Sequence, residues 1–323
     1  MLIATDAWNR NAHVVYVDQP RYVGLSCGTG PYVTSSVDAG LDIVEFIQGW
    51  KVAFPEHAHR RWIIAAESYG GHYIPAWTGA ILDHNDHAEI AAQINLTGIA
   101  IGNGIVNETV QANSFTEFAE RQSLIPSGIS PKSDDEARQL VESTLGYSPN
   151  FYDYRLKDIE CCGCTSYNYS AWSHWFMRED VRTALHVCGT AGAAAFAGCA
   201  GGCVDLPSFD DKDSFDYSGA LSRALQRGIR LSFYYGKQDT ACNYVGGYKV
   251  ATESLSWPGA AAFRDAPLKP LVIGGANTGS WKQLGPLSWF EVEAAGHMVP
   301  LNNGAAAFRA IESTWRPSGT HEL

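Results

Sequence analysis

The chain has 323 residues, a net charge of −11, 46% hydrophobic and 12% aromatic residues, and only 18% charged ones. That is enough apolar material for one large α/β domain or two smaller ones, with little scope for long disorder. The acidic balance and the lack of any Lys/Arg-rich run exclude a nucleic-acid partner, whose phosphates demand a basic face, and no stretch reaches the ~20 apolar residues of a membrane span.

In chain order, residues 13–17 (His-Val-Val-Tyr-Val) read as a buried strand. Ser36 to Phe54 reads as an amphipathic helix, with Ser35 or Ser36 as its cap and Val37, Leu41, Val44 and Trp50 near helical spacing. Residues 61–66 form a strand, and a helix follows from Tyr69 to about Leu82. Ile94 to Ile101 is the next strand, ended by Gly102-Asn103-Gly104. From 107 to about 205 the pattern changes to polar-rich helices (115–122, 134–144, 171–187) and an Ala/Gly-rich loop (189–202). This stretch is expected to be a helical cap inserted in a single domain that spans 1–323. The strand pattern then resumes. A helix over 217–227 is stopped by Gly228, as suits a C-terminal cap. Strands are expected at 229–235, 271–275 and 288–292, with a closing helix over 305–315.

The eight cysteines favour an oxidising compartment. Six of them cluster (Cys161, Cys162, Cys164, Cys188, Cys199, Cys203), and Cys27 and Cys242 stand apart. Cys-Cys-Gly-Cys is no zinc-knuckle spacing, so disulfides are favoured over zinc, with pairings that sequence does not determine. Asn95, Asn107 and Asn168 head Asn-x-Ser/Thr strings, which implies a glycoprotein. Met1 to Asp6 carries neither a basic region nor an apolar run. Secretory-type cysteine usage without a leader leads us to expect a chain shortened at its N-terminus.

The chemistry points to three residues. Ser68 lies in Ala-Glu-Ser-Tyr-Gly-Gly-His-Tyr-Ile-Pro, directly after the apolar run 61–65: the layout of a nucleophile elbow, whose tight turn tolerates only small neighbours. Asp239 follows the strand 229–235, and His297 follows the strand 288–292. The order Ser, Asp, His is that of α/β-hydrolases, and each residue sits just past a strand end, where open α/β sheets place their ligands. A serine hydroxyl needs a base to become a nucleophile. His297 is the candidate base and Asp239 its orienting acid. The Tyr69 amide, next after the serine, is the candidate oxyanion donor.

At these residues the chain resembles the serine carboxypeptidases. Glu-Ser-Tyr-Gly-Gly-His-Tyr-Ile-Pro and Ala-Gly-His-Met-Val-Pro are similar to that family's serine and histidine signatures. Gly236-Lys237-Gln238-Asp239 with Cys242-Asn243 resembles its aspartate signature, and Asp18-Gln19-Pro20 a fourth landmark. The resemblance runs from about Trp8 to the C-terminus. It implies an α/β-hydrolase fold: a mostly parallel central sheet flanked by helices, with a reduced helical insertion. It further implies release of C-terminal residues from peptides through an acyl-enzyme, with no cofactor or metal, in the secretory pathway, vacuole or lysosome, or outside the cell. Glu67 would recognise the substrate's terminal carboxylate, and Met298 would line the pocket.

Two alternatives stay open, one because family members with the same triad pass acyl groups between small metabolites, the other because of departures from the family pattern. Lys237 replaces the first Asp of the aspartate signature, and the family's Asn-Gly-Gly-Pro-Gly segment has no counterpart. That segment would supply an oxyanion amide and a partner for Glu67, and the family partner of Cys203 would also lie upstream. The alternatives are acyl transfer between small metabolites and an inactive homologue or fragment. If the strand ahead of that segment is lacking, the sheet should show a gap between 14–17 and 62–65, and the chain should be poorly soluble and nearly inactive.

Overall fold

A computed structural model describes residues 6–23, 26, 30–158, 170–186, 213 and 216–316. Helix α1 (Ser36–Ala53) begins where Ser35 Oγ accepts from Asp38 N at 3.1 Å. The apolar run ahead of Ser68 is strand β1 (Trp62–Glu67), followed by α2 (Gly70–His87) and β2 (Leu96–Gly102). The segment after β2 holds α3 (Glu108–Gln111), α4 (Phe115–Arg121), α5 (Asp134–Leu145), a hairpin of β3 (Pro149–Asn150) and β4 (Asp153–Lys157), α6 (Ser170–Met177) and α7 (Glu179–Ala184). Next come α8 (Ser218–Gln226), β5 (Arg230–Gly236), α9 (Tyr244–Lys249) and α10 (Ala260–Asp265). The chain closes with β6 (Lys269–Ile273), β7 (Ala276–Leu284), β8 (Leu287–Val292), α11 (Val299–Asn302) and α12 (Gly304–Glu312).

Six strands make one sheet in the order β1-β2-β5-β8-β7-β6. The first four run parallel, and β7 and β6 return antiparallel. Side chains alternate across β5, so the sheet has two cores. Leu231, Phe233 and Tyr235 pack with Trp289, Ile43 and Ile47 of α1, Ile74 and Ile81 of α2, and Leu221 of α8. Tyr234 packs on the other face with Phe290 and with Ala306, Ala310 and Ile311 of α12. Helices thus cover both faces of a mostly parallel sheet, the α/β-hydrolase architecture expected from the sequence. Register pairs Glu67 with Gly102, Gly102 with Tyr234, and Gly236 with Val292, so the parallel strands finish side by side.

Four details differ from the sequence reading. Residues 13–17 form no strand. They run extended with Tyr16 exposed and no ladder partner among the described residues, and β1 is the sheet's edge. An apolar run becomes a strand only where its backbone finds a neighbour. Helix α1 buries Ala39, Gly40, Ile43 and Ile47 rather than Val37 and Leu41, because small residues allow the close approach of α2: a Cβ on Gly40 would lie 3.0 Å from the Ala76 carbonyl oxygen. Strand β7 and the β3–β4 hairpin were not anticipated, so the stretch between β2 and β5 is not wholly helical. The cysteine cluster, Cys27 and Asn168 lie outside the described residues. Asn107 is buried and caps α3 through Val110 N at 3.0 Å, which makes it a poor glycan acceptor, whereas Asn95 is exposed.

Candidate active site

Ser68 follows β1 with a φ of 61°, in the left-handed region that side-chain-bearing residues seldom adopt. The turn closes because its neighbours are small. A Cβ on Gly70 would overlap that of Ala66, and one on Gly71 would overlap the Ile105 backbone. Alanine at 66 is therefore tolerated only because residue 70 is glycine. Ser68 N donates to Gly102 O at 2.9 Å, and Ile105 N donates to Ser68 O at 3.2 Å, so β2 and its following loop hold the turn from both sides.

Asp239 lies beyond the end of β5 and is fully buried. Its Oδ2 accepts from His297 Nδ1 at 2.7 Å and from Asn103 Nδ2 at 2.8 Å, and its Oδ1 accepts from Ala241 N at 2.9 Å. Nδ1 of His297 therefore carries the proton, and the other nitrogen is the basic one. Among the described residues that buried Nε2 has no hydrogen-bond partner. Burial pulls the His297 pKa down, but the adjoining Asp239 carboxylate overrides it and holds the value above that of ordinary histidine, with a smaller contribution from Glu67.

Cys242 links this pair to the serine. Its sulfur and the ligand atoms of Asp239 and His297 lie within 4.8 Å of one another, and the Ser68 side chain lies beside the thiol. Burial, and then the Asp239 charge, push the thiol pKa well above its usual value, so the sulfur is neutral. A cation among these three residues would have to break the short Nδ1–Oδ2 hydrogen bond. The structure thus brings Ser68, Asp239 and His297 to one spot at the ends of β1, β5 and β8.

Glu67 is the last residue of β1 and faces the same spot. Burial raises its pKa to about 7, the His297 charge opposes this, and the buried Oε1 has no hydrogen-bond partner among the described residues. The wholly buried Tyr234 phenol lies beside it. Tyr69 heads α2, and its phenol donates to Asp213 Oδ2 at 2.6 Å. Asp213 also accepts from Ser36 N at 2.8 Å, Ser36 Oγ at 2.7 Å and Tyr217 Oη at 2.5 Å. That anchor fixes the residue next to the serine. Met298 follows His297 directly, half-buried at the start of α11. A cleft of about 230 Å³ adjoins the site, lined by Ile105, Glu108, Ser114, Phe115, Arg138 and Cys242.

Lys237, where the resemblance leads one to expect Asp, pairs with Glu293 at 2.5 Å and so ties the β5 loop to the β8 loop. Three residues of the site escaped the sequence reading: Asn103, Tyr234 and Tyr152, whose ring stacks on His297. Asn103 alone left a trace, in the Gly-Asn-Gly that ends β2.

The family profile described as serine carboxypeptidase matches residues 3–316. A serine carboxypeptidase-like protein of Oryza sativa subsp. japonica is 27% identical over 334 residues, covering 94% of this chain and 75% of that protein. Serine carboxypeptidase 3 of Hordeum vulgare is 28% identical over 333 residues, covering 94% and 63%. The chain thus spans about two thirds to three quarters of the length of these two relatives. Among solved structures, Kex1(delta)p, a prohormone-processing carboxypeptidase from Saccharomyces cerevisiae, superposes with a TM-score of 0.72 at 20% identity, over 96% of this chain and 75% of that one, which shows a shared fold. The chain belongs to the serine carboxypeptidase family.

Proposed function

We propose that the chain is a serine-type carboxypeptidase that releases C-terminal residues from peptides. The observation that carries this reading is the buried Asp239–His297 pair beside an elbow serine, with the Glu67 carboxyl sharing its surroundings. Ser68 Oγ attacks the scissile carbonyl carbon, and His297 Nε2 takes its proton. Asp239 holds the imidazole by Nδ1–H and stabilises the imidazolium. The Tyr69 amide, at the positive end of α2, donates to the oxyanion. His297 then returns the proton to the leaving amine, and water attacks the acyl-enzyme by the same route in reverse. Glu67, protonated below about pH 7, donates a hydrogen bond to the substrate's terminal carboxylate, whereas its ionised form would repel that group.

Met298, next to the base, lines the pocket in this reading. Two further points support it: the eight cysteines suit a secretory, vacuolar or extracellular location, and the exposed Asn95 suits a glycan. No helix among the described residues is long and apolar enough to cross a membrane.

The test uses an N-blocked dipeptide with a free C-terminus beside its C-terminal amide. Release of the last residue from the first peptide and not the second is expected. Equal cleavage of both, or acyl transfer from a sugar or choline ester with no peptide cleavage, would overturn the proposal.

A further inference from the structure

The loops that carry Asp239 and His297 leave neighbouring strands, and both are bonded to the β3–β4 hairpin. The Phe151 carbonyl accepts from Ala241 N at 3.0 Å and from Thr240 Oγ1 at 2.6 Å. The Tyr152 carbonyl accepts from His297 N at 2.7 Å, and Tyr154 N donates to Gln238 O at 3.1 Å. The Tyr152 ring lies flat on the imidazole, with centroids 4.3 Å apart and planes inclined by 18°. The hairpin is itself braced. Asn150 Oδ1 accepts from Tyr152 N at 2.7 Å, and Arg155 grips Asp153 through two hydrogen bonds of 2.8 and 2.5 Å. Residue 296 is glycine where this approach is tightest: a Cβ there would strike the Tyr152 carbonyl and the Asp153 side chain.

We propose that Tyr152 is the positioning residue of His297, and that the hairpin sets the distance between acid and base. The proposal rests on His297 being the base of the peptidase reaction above. An imidazole that turns about its Cβ–Cγ bond loses the Asp239 hydrogen bond and swings Nε2 off line. A ring stacked on one face blocks that turn. Once His297 has taken the Ser68 proton it is a cation, and an aromatic face attracts a cation. Among the described residues, the titratable groups facing His297 are Asp239, Glu67, Cys242 and Tyr152 itself. On the hairpin, Asp153 and Arg155 are paired with each other.

The experiment compares Tyr152→Phe and Tyr152→Leu in the full chain. It reads the rate at which a fluorophosphonate labels Ser68, kcat and KM on the blocked dipeptide, and the titration of His297 by NMR of ¹³Cε1-histidine protein. Tyr152→Leu should slow labelling and lower kcat about five- to tenfold with KM unchanged, and lower the His297 pKa by about half a unit or more, while Tyr152→Phe stays within about twofold of the parent. Labelling at the parental rate together with an unshifted His297 titration in Tyr152→Leu would overturn the proposal. If no variant cleaves peptide but the titration shifts as stated, the peptidase reading fails and the positioning role stands. Should Tyr152→Leu not fold, the His297 ring protons decide: an upfield ring-current displacement in both the parent and Tyr152→Phe supports the stack, and its absence rejects it.

Discussion

Asn103 and His297 donate to the same oxygen, Oδ2 of Asp239, at 2.8 and 2.7 Å. Asn103 also accepts from Gly236 N at 3.0 Å through its own Oδ1, so one amide side chain ties the end of β2 to the end of β5 and fixes the acid. Asn103→Ala leaves the Gly236 amide without that acceptor and Asp239 short of a donor. It should cost about 1–3 kcal/mol of stability in urea unfolding and lower kcat with little change in KM. Asn103→Asp places a second carboxylate beside Asp239, and its activity relative to the parent should fall as pH rises from mildly acid to neutral. Equal activity of the two variants across that range would argue against this role.

The proposed triad predicts non-additive losses. Ser68→Ala should abolish fluorophosphonate labelling and lower kcat by about 10⁶-fold, and the double variant with His297→Ala should be hardly worse. Asp239→Asn should cost about 10⁴-fold by leaving the imidazole in the wrong tautomer. Mass spectrometry of the labelled peptide identifies the site, and a probe found on any residue other than Ser68 contradicts the assignment.

Glu67, with its pKa raised to about 7, predicts the alkaline limb of peptide hydrolysis. The carboxyl is protonated and able to donate below that value, so kcat/KM for a peptide with a free C-terminus should fall as pH rises through about 7. The acid limb belongs to His297, which must be neutral to act and whose pKa lies above the ordinary histidine value. The two groups interact, so the limbs report the pair. An ester without a free carboxylate should keep its rate above pH 7, and Glu67→Gln should flatten the alkaline limb for the peptide. Coincident alkaline limbs for Glu67→Gln and the parent would remove Glu67 from this role.

The same carboxyl predicts a stability difference. The unfolded chain ionises Glu67 near 4.5, the ordinary value of a free glutamate, whereas the folded protein keeps it protonated up to about 7. Folded protein binds more protons across that window, so this contribution is fully present below about pH 4.5 and is lost as pH rises through 7. Glu67→Gln should therefore match the parent at pH 4 and exceed its unfolding free energy by about 3 kcal/mol at pH 8. Chemical denaturation at the two pH values measures it, and an equal difference at both would show that ionisation is not the cause.

Sequence revealed the parts whose causes are local. The elbow is a short-range steric problem, so Ala66, Ser68 and Gly70 hint at it, Asp239 and His297 in order turn the hint into a reading, and the apolar runs before the three give the strands that carry them. Where tertiary neighbours decide, the reading faltered. The stretch 13–17 is as apolar as β1 but has no ladder partner among the described residues. Strand β7 is Asn-Thr-Gly-Ser-rich at its start and becomes a strand by pairing between β6 and β8. Tyr152 and Tyr234 reach the site from a hairpin and from the interior of β5, and no spacing in the sequence foretells that meeting.

Ser68, Asn103, Asp239 and His297 stand in that order across four adjacent strand ends, although the chain supplies them from its first quarter to its last tenth. Contacts between residues so remote are slow to form. Reactivity at Ser68 therefore reports finished folding. A refolding chain should recover helical signal and aromatic burial first and accept the probe only after β8 has joined β5. During heating, the earliest separation of those two strands should silence the serine while most of the helices remain intact.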